Sequence, residues 1–135
     1  SSEIQTLVSE GVDFQLHTHR HRWPWQEEDA IQELFDNKHF LEPLCTRKLQ
    51  HFCYPGGLWK REQFPFLEKG NIRSATTCEP GLNYHTTHRF ALKRFLDSEK
   101  LSKIEFEAEV SGYTEILKRL RNQIYPYRRC FQAVQ

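Results

Sequence analysis

Apolar residues recur at Ile4, Leu7 and Val8, the 3,4 spacing of one helix face, between a Ser1-Ser2 pair that offers an N-cap and a stop at Gly11. The period then changes. Val12-Asp13-Phe14-Gln15-Leu16 alternates apolar and polar, which predicts a strand running into the stretch LHTHRHRWPW, Leu16 to Trp25. Trp23-Pro24-Trp25 breaks any regular element there. Helical spacing returns over Glu27 to Phe40, with Ile31, Leu34, Phe35 and Leu41 on one predicted face and acidic residues in the first turn, where the helix dipole favours them.

Farther along, Gln50 to Tyr54 reads as a short apolar strand that stops at Pro55-Gly56-Gly57. A helical stretch from Arg61 to Lys69 ends at Gly70, and Ile72 to Thr77, rich in β-branched residues, makes a third strand before Glu79-Pro80-Gly81. A weaker extended stretch covers Phe90 to Phe95. One helix is predicted from Ser102 to about Ile124, ended by Tyr125-Pro126-Tyr127. Helices alternating with strands imply an α/β fold with a parallel sheet, whose sites gather at the C-terminal ends of the strands. The histidine-rich run, Pro-Gly-Gly and Thr-Thr-Cys-Glu-Pro-Gly all sit at such ends, so one mouth built from three loops is expected.

Composition narrows the partners. A chain of 135 residues is sized for one domain. With 19 basic against 18 acidic residues, no net field draws it to nucleic acid or to an anionic membrane. Neither a leader nor a run approaching the roughly 20 apolar residues of a membrane helix stands in the sequence, which makes a cytoplasmic location the default expectation. Cys45, Cys53, Cys78 and Cys130 lie far apart without a CxxC pair, and read as separate thiols rather than a zinc knuckle.

The candidate chemistry lies in His17, His19 and His21. Along an extended strand, residues two apart are separated by roughly 6.6 Å and residues four apart by roughly 13 Å. His17 and His19 can therefore share an ion on a strand, whereas His17 and His21 can do so only if the chain turns after Thr18. Spacing leaves both pairings open. Asp13, at roughly 13 Å along an extended chain, cannot complete such a site locally. Glu79 is the one carboxylate at a strand end, a candidate for acid/base work or for capping a turn. The glycines of Pro55 to Gly57 allow backbone amides to approach a ligand oxygen. Trp23, Trp25 and Trp59 are candidates for sugar stacking, although packing is the commoner use of tryptophan.

These segments, LHTHRH, HFCYPGG and IRSATTCEPGLN, resemble in order and spacing the C-terminal part of the polysaccharide deacetylases, the NodB-like carbohydrate esterases. The resemblance covers roughly Ile4 to Leu117. It implies a portion of a distorted parallel (β/α) barrel, a divalent metal cofactor (zinc foremost) and a carbohydrate partner bearing acetyl groups. The family's His-Ser/Thr-x-x-His motif falls on His17, Thr18 and His21, which implies His17 and His21 as metal ligands. Its groove motif falls on Phe52 to Gly57, which implies substrate contacts by Tyr54, Pro55, Gly56 and Gly57, joined by Thr18 and Trp25. Many members carry an arginine where this chain has Cys53. The family's paired aspartates belong to a strand before the first helix here, and its C-terminal histidine has no clear counterpart, so half an active site is expected. Two rivals stand beside this reading: an amidohydrolase-like metal site using His17-x-His19, and a carbohydrate-binding remnant without turnover. A sheet missing its first strands exposes an edge that invites pairing with another chain, which would make a homo-oligomer.

Overall fold

The structure is a computed structural model that describes residues 2–96, 99 and 101–124, the side chains of 118 and 122–124 excepted. It divides into two compact units, Ser1–Glu79 with Asn83–Arg94, and Pro80–Leu82 with Phe95–Gln135.

In the first unit, β1 (His51–Cys53) and β2 (Ser74–Thr76) pair in parallel, with Phe52 opposite Ala75 and Cys53 opposite Thr76. Parallel bridges extend this ladder on both sides, from Leu16 to Phe52 and from Thr76 to Leu92. Four segments thus lie side by side in chain order with their C-terminal ends on one edge. That is the expected α/β arrangement of a partial parallel barrel, with strands shorter than the alternation implies. Of the predicted strand Val12–Leu16, only Leu16 joins the ladder: its N–H donates to His51 O (3.0 Å) and its carbonyl accepts from Cys53 N (2.9 Å). One position earlier, the Gln15 side-chain oxygen accepts the His51 N–H in place of a backbone carbonyl.

Helices cover this ladder. α1 (Ser2–Ser9) precedes the first segment, and α2 (Glu27–Cys45) runs five residues past the predicted end at Phe40, through Pro43, until Thr46 turns left-handed at φ 54°. The buried positions of α2 include Ala30, Glu33, Leu34 and Asn37, while Phe35 and Phe40 are exposed. The predicted face is therefore rotated: two polar residues point inward and Phe35 points out. The stretch predicted as one helix after Lys60 is a 3-10 turn, Arg61–Gln63, followed by α3 (Phe64–Lys69). Buried Gln63 ties the turn down by donating to Pro24 O and accepting from Lys60 N. The core of the unit joins Leu16, Phe52 and Ala75 of the ladder to Leu34, Leu67 and Phe90. Trp23 is also buried and packs on Phe52, with ring centroids 5.0 Å apart.

In the second unit, the single helix expected from Ser102 to about Ile124 is two helices. α4 (Lys103–Val110) starts at Ser102, whose side chain forms a capping box with Glu105. Gly112, at φ 79°, then breaks the chain before α5 (Tyr113–Ile124). A Cβ on Gly112 would lie 2.7 Å from Leu82 Cδ1, so close packing as well as the backbone angle calls for glycine. The Tyr125-Pro126-Tyr127 breaker and Cys130 lie outside the described residues. Cys45, Cys53 and Cys78 are free thiols. Among the described residues, no helix is long and apolar enough to cross a membrane.

Candidate active site

The site grows from the residue after the ladder position of Leu16. The His17 amide donates to Asn37 Oδ1 at 3.0 Å, and its ring Nδ1 lies 2.7 Å from the carbonyl oxygen of Cys53. A carbonyl only accepts, so Nδ1 carries a proton, and in the neutral ring Nε2 then keeps its lone pair. The chain then leaves strand geometry at Thr18, which adopts φ 64°. The buried Thr18 hydroxyl accepts from Arg22 N at 3.1 Å, closing a turn in which His21 also stands in the left-handed region, at φ 55°. The result brings the His17 and His21 rings together, their centroids 4.9 Å apart and their planes at 65°. Residues four apart thus meet without a helix. His19 points elsewhere, its ring 6.2 Å from that of Phe40 on α2.

Two residues that the pattern of apolar positions passed over hold this turn. Glu33, 1% exposed, accepts at Oε2 from His19 N and Arg20 N and at Oε1 from Arg20 Nη1 and Arg22 Nε. Burial pushes its carboxyl up, but the hydrogen bonds from Arg22 and Arg20 outweigh it and hold the group below the ordinary glutamate value. Asp36 takes the other contact of Arg20, at 2.8 Å. The signal was present: Ala30, Glu33, Leu34 and Asn37 follow the i, i+3, i+4, i+7 spacing of one helix face.

The other loops meet on the same edge. Gly57 takes φ 69°, and a Cβ there would stand 2.6 Å from Cys78 Cβ and 2.8 Å from its Sγ, so the Pro-Gly-Gly loop and the end of β2 are in contact. Arg94 Nη2 donates to Cys78 Sγ at 3.1 Å, and its Nε is buried without an acceptor among the described residues. The backbone of Glu79 is tied on both sides, by its N–H to Thr77 Oγ1 and by its carbonyl to Arg94 N, while the residue itself is exposed. Tyr54 is wholly buried and donates its hydroxyl to Phe90 O at 2.9 Å. Pro55 is buried beside it, which leaves Cys53, Gly56 and Gly57 as the accessible part of the groove motif. Trp25 is 53% exposed, with Lys60 Nζ 4.4 Å above its ring. Trp59 stacks between Tyr54 and Phe64.

The His17–His21 pair fits a metal in part. Two imidazoles suit zinc among the divalent ions, and the Nδ1 contact to a carbonyl is the customary outer support of a ligating histidine. Among the described residues no group of three His, Cys, Asp or Glu side chains is placed to hold an ion.

Known proteins share this architecture. Structural neighbours include a deacetylase of Streptococcus pyogenes, solved in complex with acetate, at TM-score 0.73 and 17% identity over 80% of this chain and 49% of that one. A polysaccharide deacetylase from Bacillus cereus follows at TM-score 0.67 and 21% identity, covering 81% of this chain and 35% of that one. The IcaB protein of Ammonifex degensii aligns at TM-score 0.64 and 16% identity, covering 87% and 51%. The chain thus spans about half the length of these structures or less, and at such identities they speak for the fold. No curated protein matches the sequence significantly. The family model described as polysaccharide deacetylase matches residues 1–75, more than half of the chain and the part that holds the histidine turn, α2 and the groove motif. The chain belongs to the polysaccharide deacetylase family.

Proposed function

We propose that this chain carries the two-histidine part of a metal-dependent carbohydrate deacetylase site, which hydrolyses the amide or ester of an acetyl group on a sugar. The observation that carries the reading is the meeting of the His17 and His21 rings, with the His17 ring held through Nδ1 so that Nε2 is the nitrogen left for a ligand. A divalent ion, zinc by the nature of the donors, supplies when bound the polarisation of an acetyl carbonyl and the acidification of a water molecule. The chain's own residues position the rest. The Gly56 amide of the Pro-Gly-Gly loop is the candidate donor to the acetyl carbonyl, the Gly57 amide being taken by Tyr54 O at 3.0 Å. Exposed Trp25, with Lys60 Nζ over its ring, is the candidate sugar contact. Glu79 is the exposed carboxylate at the end of β2 for proton transfer or a sugar contact. Among the described residues no third ligand stands beside the pair.

Zinc titration followed by calorimetry tests this reading, with His17→Ala, His19→Ala and His21→Ala as variants. Binding should collapse in the first and third and survive in the second. Loss of binding only in the His17 and His19 variants would transfer the site to the amidohydrolase-like pairing. Release of acetate from short N-acetylglucosamine oligomers, assayed with and without a chelator, then reads whether the site turns over.

A further inference from the structure

We propose that Glu33 is a positioning residue for the histidine pair: it sets the turn that joins His17 to His21 without touching an ion. This rests on the reading of His17 and His21 as ligands. Residues four apart meet naturally on a helix, but here the meeting is produced by a loop with two side-chain-bearing residues, Thr18 and His21, in the left-handed region. Such a turn needs outside support. The amides between those two residues, His19 N and Arg20 N, both converge on one Glu33 oxygen, at 3.1 and 2.9 Å. The second oxygen takes Arg20 Nη1 at 3.0 Å and Arg22 Nε at 2.7 Å. Both oxygens of a buried carboxylate are thus fully engaged by the three residues from His19 to Arg22 that frame His21.

Charge makes the same arrangement useful. Arg20 and Arg22 flank His21, and two free guanidinium groups there would repel a divalent cation. Glu33 holds both against α2, with Asp36 sharing Arg20, so the like charges are countered and drawn away together. An ordinary structural ion pair would affect global stability alone. A positioning carboxylate also affects the affinity for the ion, in proportion to how far it preorganises the two rings.

The test uses zinc alone as the probe, with the whole chain. Glu33→Gln keeps one acceptor oxygen and removes the charge, and it should remain folded by circular dichroism while zinc affinity falls about 10- to 100-fold, the range for lost outer-shell partners. If His17→Ala and His21→Ala abolish binding while folded Glu33→Gln binds zinc within about twofold of wild type, the proposal is overturned. If the two histidine variants leave zinc binding intact, the ligand assignment itself fails, whatever Glu33→Gln does. Should Glu33→Gln not fold, amide exchange of the wild type decides. The His19 and Arg20 amides should be protected despite the exposure of their residues, and should slow further when zinc binds. Unprotected amides, or protection indifferent to zinc, would overturn the proposal.

Discussion

The ring of His17 and the carbonyl of Cys53 are 2.7 Å apart, which joins the histidine turn to the strand next door through a single proton on Nδ1. The neutral imidazole should therefore be the Nδ1–H tautomer in the metal-free chain. Two-bond nitrogen–proton spectra of a histidine-labelled sample read this directly. An Nε2–H tautomer at His17 would mean that the contact does not persist in solution and that the donor atom is not preset.

The glycines of the groove motif predict a graded pair of effects. Gly56 has open space where a Cβ would sit, so Gly56→Ala meets only the left-handed backbone cost, about 1–2 kcal/mol. Gly57→Ala meets that cost and a clash with Cys78, which adds about 1–3 kcal/mol of overpacking. Denaturant midpoints of the two variants should fall in that order. Equal losses would show that the loop and the end of β2 are not in contact.

Tyr54 separates a core role from a groove role. Its hydroxyl is buried against Phe90 O, and burial pushes the phenol pKa up, so it stays a neutral donor. Tyr54→Phe leaves a buried carbonyl without its partner and should cost about 1–3 kcal/mol of stability. Zinc affinity and sugar binding should not change. A selective loss of sugar binding with unchanged stability would instead place the hydroxyl in the groove.

Acid should weaken the fold through Glu33 and Glu42. Burial raises both carboxyls, but hydrogen bonds win: Arg22 and Arg20 on Glu33, the Leu49 N–H and Lys48 on Glu42. A carboxylate whose folded pKa lies below its unfolded value of about 4.3 contributes stability above that value and loses it as pH falls through the folded pKa. Urea midpoints should be level from pH 7 to about 5 and drop below about 4.3. Glu33→Gln should start lower at neutral pH and show a shallower acid decline. A decline as steep as wild type's would remove Glu33 from the linkage.

The fold was legible in the sequence where one period ruled for long enough. The alternation of helix and strand located α1, α3, β1, β2 and the parallel order. It misjudged α2, since counting apolar residues selects Phe35 and misses that Glu33 and Asn37 face inward. A buried polar residue looks like a surface one until its partners are known, and those partners lie 11 to 20 residues away in the histidine turn. The break at Gly112 is not legible from the pattern, because an isolated glycine within an otherwise helical run is tolerated. Within the site, the motif pointed to His17 and His21, but their meeting depends on φ values at Thr18 and His21 that no side-chain pattern encodes. Tyr54 illustrates the reverse: a residue inside a groove motif can serve the core when its neighbours are the ones that reach the surface.

The one-residue ladder at Leu16 gives the site an error check. Its N–H and carbonyl grip His51 and Cys53 on either side of Phe52, and the next side chain is His17. A slip of a single position would turn His17 to the opposite side of the sheet and separate it from Cys53. Chains in the wrong register would then lack the paired imidazoles altogether. On the proposed metal-binding reading, an ion that binds only the correctly registered form would draw the population toward it by mass action, so that metal supply would act as quality control on folding.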